Sequence, residues 1–430
     1  MAIGRGPVLA EAGAVKPALW LTAGRVRIHG LLLALSLWTV YAVDMFAPGL
    51  LDRNGLVKGT DFLHFYTLGS VALRSRGDLL YNMRAQAELA RVLVAGAPDI
   101  VYVPLYGPQV SLFFAPFAGL SYSWALIAWL ALNVLIYAFC CYAVWKNCPS
   151  LQKYRWTVLI LAIAFPGFFH LLAWGQSSGL ALLCFTLAYL ALRRDHALLA
   201  GVAIGSLVFK PQLGLAAAGV FVLAREWKVV AGAVTAATVQ LATAWMHYGT
   251  DVMRSYLHAL INVREVLPLL EPRLYQTHSL RSFWSLLLPW PRIAFALYVV
   301  TAIGVLVFAV RCWRNEASLS IRFSALLFAT VLVSPHLTVY DLVILAPGFL
   351  LLGDWAMAHR EPFALWIQQL LYVCYPLFLV GPLARIAHLQ LSVIAMTALL
   401  WICWQISLRS LSSAPTTSVV SKSAQSFSED

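Results

Sequence analysis

Apolar residues run along this chain in blocks of about twelve to twenty, separated by short polar breaks, rather than alternating with polar ones at the period of a strand or of a surface helix. A helix needs about 20 apolar residues to cross the hydrocarbon core of a bilayer. On that measure the blocks predict spans at Ile28–Ala47, Ala125–Trp145, Thr157–Trp174, Gly179–Leu192, Leu198–Phe209, Leu213–Leu223, Val229–Trp245, Ile293–Arg311, Ala325–Val333, Val339–Leu352, Ala364–Val380 and Leu389–Leu408. Val110–Gly119 is apolar but interrupted by Pro116, and reads as re-entrant or interfacial. Leu198–Leu223 reads either as one kinked span or as two short helices meeting at Lys210-Pro211-Gln212.

Two longer stretches, about 48–109 and 247–291, fall outside the blocks. Both carry aromatic and apolar residues (Phe62, Phe65, Tyr66, Leu79, Leu80, Tyr81; Tyr256, Leu257, Leu260, Leu269, Leu270, Tyr275), which predicts packed interfacial helices within the loops. From Ser410 the chain turns Ser/Thr-rich and aperiodic, the composition of a disordered tail. Residues 1–25 read as an N-terminal tail and 26–409 as one membrane domain. The first block is followed by Asp44 rather than by a small-residue cleavage site, so no cleavable signal peptide is expected.

Composition fits an all-α polytopic membrane protein: of 430 residues, 61% are hydrophobic and 11% charged, against roughly 25% charged in a soluble domain. The net charge of +12 is spread in ones and twos between the blocks, without a dense basic face, so no nucleic-acid partner is expected. The basic residues act instead as orientation signals. With the N-terminus cytoplasmic and Leu198–Leu223 counted as two crossings, Lys146/Lys153/Arg155, Arg193-Arg194, Arg225/Lys228, Arg311/Arg314 and Arg360 fall inside, and the short outer loops keep only Lys210 and Arg385. One crossing there would spoil the bias. About twelve spans with both ends inside is therefore the expected topology. The seven cysteines stand in no metal-ligand spacing and read as small buried hydrophobes.

That topology places Asp44, Asp61, Gln176, Lys210, His278, Arg281, His336 and Asp341 on the outer side or within about two turns of it. Ionisable groups in apolar helices are expensive and mark functional sites unless they neutralise one another, as Lys210 would with Asp341 or Asp44. Asp61 could take a proton from a substrate hydroxyl, or simply cap the helix that follows it. Lys210 before a proline projects from a broken helix end, where a cation suits a phosphate. Gly175-Gln176-Ser177-Ser178-Gly179 opens a helix with free N–H groups, able to bind an anion or sugar hydroxyls, and Ser334-Pro335-His336 opens another with a histidine that could donate to phosphate.

The ordered motifs Asp61-Phe62-Leu63-His64-Phe65-Tyr66 with Gly69, Asp78-Leu79-Leu80-Tyr81-Asn82, Tyr102-Val103-Pro104-Leu105-Tyr106, Phe114-Ala115-Pro116-Phe117, Trp129 with Asn133, Gly175–Gly179, Lys210-Pro211-Gln212, Ser279-Leu280-Arg281 and Ser334-Pro335-His336 with Tyr340-Asp341 resemble glycosyltransferase family 87, a bacterial group with the GT-C membrane fold. The resemblance runs from about Asp44 to Leu352. It departs at Tyr102-Val103-Pro104, where the pattern is Tyr-Pro-Pro, and at His278, where a polar amide is common.

What it implies is an inverting transfer of a sugar, often mannose, from a polyprenyl-phosphate donor to a glycolipid or glycan acceptor at the outer face of the cytoplasmic membrane. Asp61 would be the general base and Lys210, His336 and Arg281 would lie near the donor phosphate. Asp44, Tyr66, Gln176, Gln212, His278, Tyr340 and Asp341 would line the substrates, with no cofactor and no metal expected. The competing classes are a transporter or lipid flippase, which needs polar residues at both faces and mid-depth, and a membrane scaffold, which needs no convergence of Asp61, Lys210 and His336.

Overall fold

Where the sequence carries an uninterrupted apolar run, nothing competes with intrahelical hydrogen bonding, and in a bilayer the helix satisfies every backbone group internally. The computed structural model describes residues 21–97, 100–263, 265, 273–315 and 317–412. The Ser410 tail beyond Ser412, most of the N-terminal tail, and Leu269 and Leu270 lie outside the described residues. Among the described residues the fold is all helical, with two isolated β-bridges, Leu51 with Val57 and Thr277 with Thr338.

The first span is α1 (Ala23–Met45), capped by the Thr22 hydroxyl, which accepts from the Arg25 amide. The first long loop holds α2 (Thr60–Leu73) and α3 (Met83–Leu93) and leads into α4 (Gln109–Ala118). Then come α5 (Tyr122–Trp145), the short α6 (Pro149–Gln152), α7 (Arg155–Ile163), α8 (Pro166–Trp174), α9 (Ser178–Arg193), α10 (Ala197–Gly205), α11 (Pro211–Ala224) and α12 (Trp227–Tyr248). The second long loop holds α13 (Thr250–Ile261) and α14 (Leu280–Leu287). The chain closes with α15 (Pro291–Arg314), α16 (Leu319–Val333), a 3-10 helix (Val339–Leu345) continuing into α17 (Ala346–Ala358), then α18 (Pro362–Leu377), α19 (Gly381–Ala387) and α20 (Leu391–Ser412).

Every block expected to span is helical, but length divides them. Seven are long and apolar enough to cross alone: Ala23–Met45, Tyr122–Trp145, Arg155–Trp174, Trp227–Tyr248, Pro291–Arg314, Val339–Ala358 and Leu391–Arg409. The pair α18 and α19 is bent by 88°. Ser178–Arg193, Ala197–Phe209, Pro211–Ala224 and Leu319–Val333 are shorter; at roughly 1.5 Å per residue a 14-residue helix reaches only about 21 Å. Length and composition thus give a multi-pass membrane protein with seven candidate spans among the described residues, eight if the bent pair is one span, and the remaining crossings stay an expectation.

Leu198–Leu223 is a hairpin. A Cβ on Gly201 would lie 2.0 Å from the Val229 carbonyl, one on Gly205 2.1 Å from that of Ala233, and one on Gly232 2.1 Å from that of Leu198. So α10 and the start of α12 run side by side in the same direction, backbone against backbone, as small residues allow in membranes. For the chain to return to that starting level, α11 must run back antiparallel to both. Lys210 is the one residue at the tip.

The helix expected around Phe62, Phe65 and Tyr66 forms as α2 and packs against protein. Every residue from Phe62 to Ala72 is buried, because α2 sits inside a second core rather than on a surface. Phe62 packs among Tyr66, Phe114, Phe117, Tyr122 and Trp129, its ring stacked on the indole at 6.2 Å. In contrast, α3 buries one face only, Gln86, Ala87, Leu89 and Ala90. The seven cysteines are all unpaired and buried or half-buried.

Candidate functional site

Two left-handed glycines decide where α2 begins. Gly59 (φ 65°) turns the chain into the helix, and Gly175 (φ 66°) ends α8 directly against it; a Cβ on Gly175 would stand 2.8 Å from the Cβ of Phe62 and 3.3 Å from the Gly59 Cα. L-residues rarely adopt such φ values. Trp129 holds this junction by donating to the Gly175 carbonyl at 2.9 Å. Tyr122 donates to the Lys58 carbonyl at 2.7 Å, and Tyr102 donates to the carbonyl of Thr60.

The cap reading of Asp61 fails on this geometry: the N-cap is Gly59, Asp61 is the second helical residue, and no side chain caps the helix. Its carboxylate Oδ2 instead accepts from Gln176 Nε2 at 3.0 Å. Gln176 Oε1 in turn accepts from the Ser177 amide at 2.8 Å and its hydroxyl at 3.2 Å, which fixes the amide so that its NH₂ faces Asp61. Burial pushes the Asp61 carboxyl up to about 6, against the opposing pull of the Gln176 hydrogen bond and of Lys210. Such a carboxylate is ionised at neutral pH and still basic enough to accept a proton.

Behind it stands a buried ion pair. Lys210, 3% exposed, donates to Asp341 Oδ1 at 2.5 Å and to the Ser178 hydroxyl at 2.8 Å. Ser178 donates to the same carboxylate oxygen at 2.7 Å. The other oxygen of Asp341 accepts from the Thr338 amide and hydroxyl, both at 3.3 Å, in a capping box on the 3-10 helix. The ammonium also lies 5.2 Å from the Tyr340 ring centroid. One carboxylate thus ties together the hairpin tip, the start of α9 and the start of the last long spanning unit before α18.

The turn between α16 and the 3-10 helix brings in His336. Thr277 bridges to Thr338, His278 donates its amide to the Leu337 carbonyl at 3.1 Å, and Arg281 Nε donates to the Pro335 carbonyl at 2.5 Å, so the second long loop is strapped to this turn. His336 is half-buried within electrostatic reach of Asp61, Lys210, Asp341 and Arg281. Burial brings its imidazole down to about 4, so it is neutral near pH 7 and carries one N–H to donate.

Of the residues expected at the site, the fold gathers Asp61, Gln176, Lys210, His336, Tyr340 and Asp341, with Arg281 on the rim and half-buried Gln212 two residues past the hairpin tip. It places three elsewhere. Asp44 pairs with Arg53 at 2.5 Å in the first loop. The Tyr66 hydroxyl donates to the Leu120 carbonyl at 2.7 Å inside the second core. The buried His278 ring meets Ser392 at 2.7 Å, joining the second loop to α20. These three have structural partners of their own.

The sequence reading passed over Ser178, Ser177, Thr338 and Tyr106. Tyr106 hydrogen-bonds Ser177 and feels Lys210, Asp341 and Asp61. Ser178 and Tyr106 both stand inside motifs quoted above, and a serine between two glycines at a helix start was the available signal. Among the described residues no group of three His, Cys, Asp or Glu comes together to hold a metal.

No curated protein and no solved structure matches this chain. The family model of glycosyltransferase family 87 matches residues 105–335, a stretch that includes Gln176, Lys210, His278 and Arg281 and ends one residue short of His336. The match covers more than half of the chain, and the chain, an all-helical membrane protein, belongs to glycosyltransferase family 87.

Proposed function

We propose that this glycosyltransferase moves a mannose-like sugar from a polyprenyl-phosphate donor to an acceptor hydroxyl of a glycolipid or glycan, at the outer face of the cytoplasmic membrane. The observation that carries the reading is the placement of Asp61. A carboxylate from the first long loop, set 3.0 Å from Gln176, shares one end of the helices with His336, Arg281 and the Lys210–Asp341 pair. Charges at the end of a helix bundle lie at the depth of lipid headgroups, where a lipid-linked donor carries its phosphate and keeps its chain in the bilayer.

In this reading Asp61 takes the proton of the acceptor hydroxyl as its oxygen attacks the anomeric carbon. The bond from that carbon to the phosphate oxygen breaks on the opposite face, and its electron pair leaves on polyprenyl phosphate. A single displacement inverts the anomeric centre, and a phosphate leaving group needs no proton, so one carboxylate suffices. His336, neutral with one N–H, and Arg281 face the donor phosphate. Lys210 supports them from behind, its own charge matched by Asp341.

The test is incubation of the purified full-length protein with radiolabelled polyprenyl-phosphate sugars and a membrane lipid extract. Sugar transfer with release of polyprenyl phosphate supports the reading. Vectorial movement of the intact donor across a proteoliposome membrane, with no transfer, would replace the enzyme by a flippase.

A further inference from the structure

An apolar cavity of about 610 Å³ lies in the helix bundle, away from the polar cluster. Its walls are the first three turns of α1 (Val26, Gly30, Leu33), the α7 face from Thr157 to Phe165, the α17 face from Phe349 to Met357 and the α18 face from Gln368 to Pro376. Each of those elements runs from this cavity toward the opposite end: the unit containing α17 starts at Asp341, and α7 continues through α8 to Gly175. The cavity therefore lies toward the end of the helices opposite Asp61.

Three observations bear on what fills it. The upper part of α1 is packed, with Trp38 against Phe168 and its indole N–H on the Ile163 carbonyl at 2.9 Å; the lower part lies against α7 at Gly30, where a Cβ would stand 3.0 Å from Ile160, and meets α18 through His29 and Tyr372 at 2.5 Å. The void lies between α1, α7, α17 and α18, with exposed apolar residues of α1 (Ile28, Leu31, Leu32) beside it. It extends from Leu21 to Leu33 along α1, about 18 Å at 1.5 Å per residue, little more than half of a core about 30 Å thick. That is the reach of one acyl chain, not of a longer isoprenoid. Finally, exposed Arg25, Arg27, Lys153, Arg155 and Arg360 bracket the lining residues at the mouth, where a phosphate headgroup would lie.

We infer that this cavity holds one acyl chain of an anionic phospholipid from the leaflet opposite the polar cluster, its headgroup among those basic residues. The site depends on no assumption about sugar transfer. The chain would fill apolar space that the described residues leave open between α1 and the bundle.

Photo-crosslinking tests it. The full-length protein is placed in nanodiscs of phosphatidylglycerol and phosphatidylethanolamine containing a trace of phosphatidylglycerol with a diazirine on one acyl chain. Labelled peptides should map to Val26–Leu33 and Leu371–Pro376. Gly353→Phe and Leu33→Trp, which place bulk in the cavity, should each lower that label at least tenfold; Leu33 is only half-buried, so its variant keeps the test alive should the first fail to fold. Label spread evenly over lipid-facing helices such as α15, or undiminished in a folded Leu33→Trp protein, overturns the site. Equal labelling by a phosphatidylethanolamine probe overturns the anionic assignment, and preferential labelling by an isoprenoid-chain probe overturns the acyl chain.

Discussion

Asp61 occupies the second position of α2, where a carboxylate is favoured by the helix dipole, yet burial raises its pKa to about 6 and its one hydrogen bond goes to Gln176. If it is the base, the transfer rate should be half-maximal near pH 6, approach its full value about one pH unit above, and fall about tenfold per pH unit well below, as the carboxylate takes up its proton. His336 titrates near 4, too low to supply that limb. Asp61→Asn should cut turnover by at least the 10²–10⁴-fold that a positioned base contributes and abolish the pH limb, while the protein still folds in membranes; a retained limb would move the base elsewhere. The sign for stability is opposite to that of an ion-paired carboxylate. A carboxyl raised on folding favours the protonated native state, so stability declines as pH rises through the ordinary carboxylate range to about 6 and is flat above. Asp61→Asn should therefore be at least as stable as the parent protein at pH 7, measured by thermal unfolding in detergent.

At the scale of elements, the site is a meeting of four helix starts, and two features hold it. The Lys210–Asp341 pair is buried, hydrogen-bonded on both carboxylate oxygens, and shared by the α10–α11 hairpin, α9 and the 3-10 helix. Removing one partner from such a pair typically costs 3–5 kcal/mol, because the other charge is left uncompensated. Lys210→Ala should accordingly lower thermal stability strongly, whereas Lys210→Met combined with Asp341→Leu should recover much of it. A donor-binding lysine would instead show a raised KM at near-normal stability, so measuring both separates the roles. The second feature is the Gly59–Gly175 contact. Gly175→Ala must place a methyl 2.8 Å from Phe62 Cβ at φ 66°, and should reduce transfer more than it reduces stability by shifting Gln176 off Asp61.

The whole molecule puts its polar residues at one end of the helices and its basic turns at the other. Cysteines introduced at Asn54 and Arg254, in the long loops, should react with an impermeant maleimide in intact cells, and those at His196 and Trp227 only in inverted vesicles. Reaction of all four from one side would remove the twelve-crossing topology. The native cysteines, buried or half-buried, give little background.

The sequence by itself determined the class, the apolar helical blocks, the family and most members of the cluster, because transfer free energy and helical hydrogen bonding are local properties that a run of apolar residues carries with it. It also marked Lys210 and Asp341 as costly charges in need of a partner. Only the tertiary structure decided which partner, since Lys210 and Asp341 stand 131 residues apart and their pairing depends on the direction in which α11 returns. The same holds for α2: its periodicity suits a bilayer surface or a protein core equally, and the aromatic residues of α4 and α5 fold over it and make it core. Whether a side chain is a ligand, a cap or a strut is a property of what lies across from it, and that is fixed by packing between segments distant in the chain.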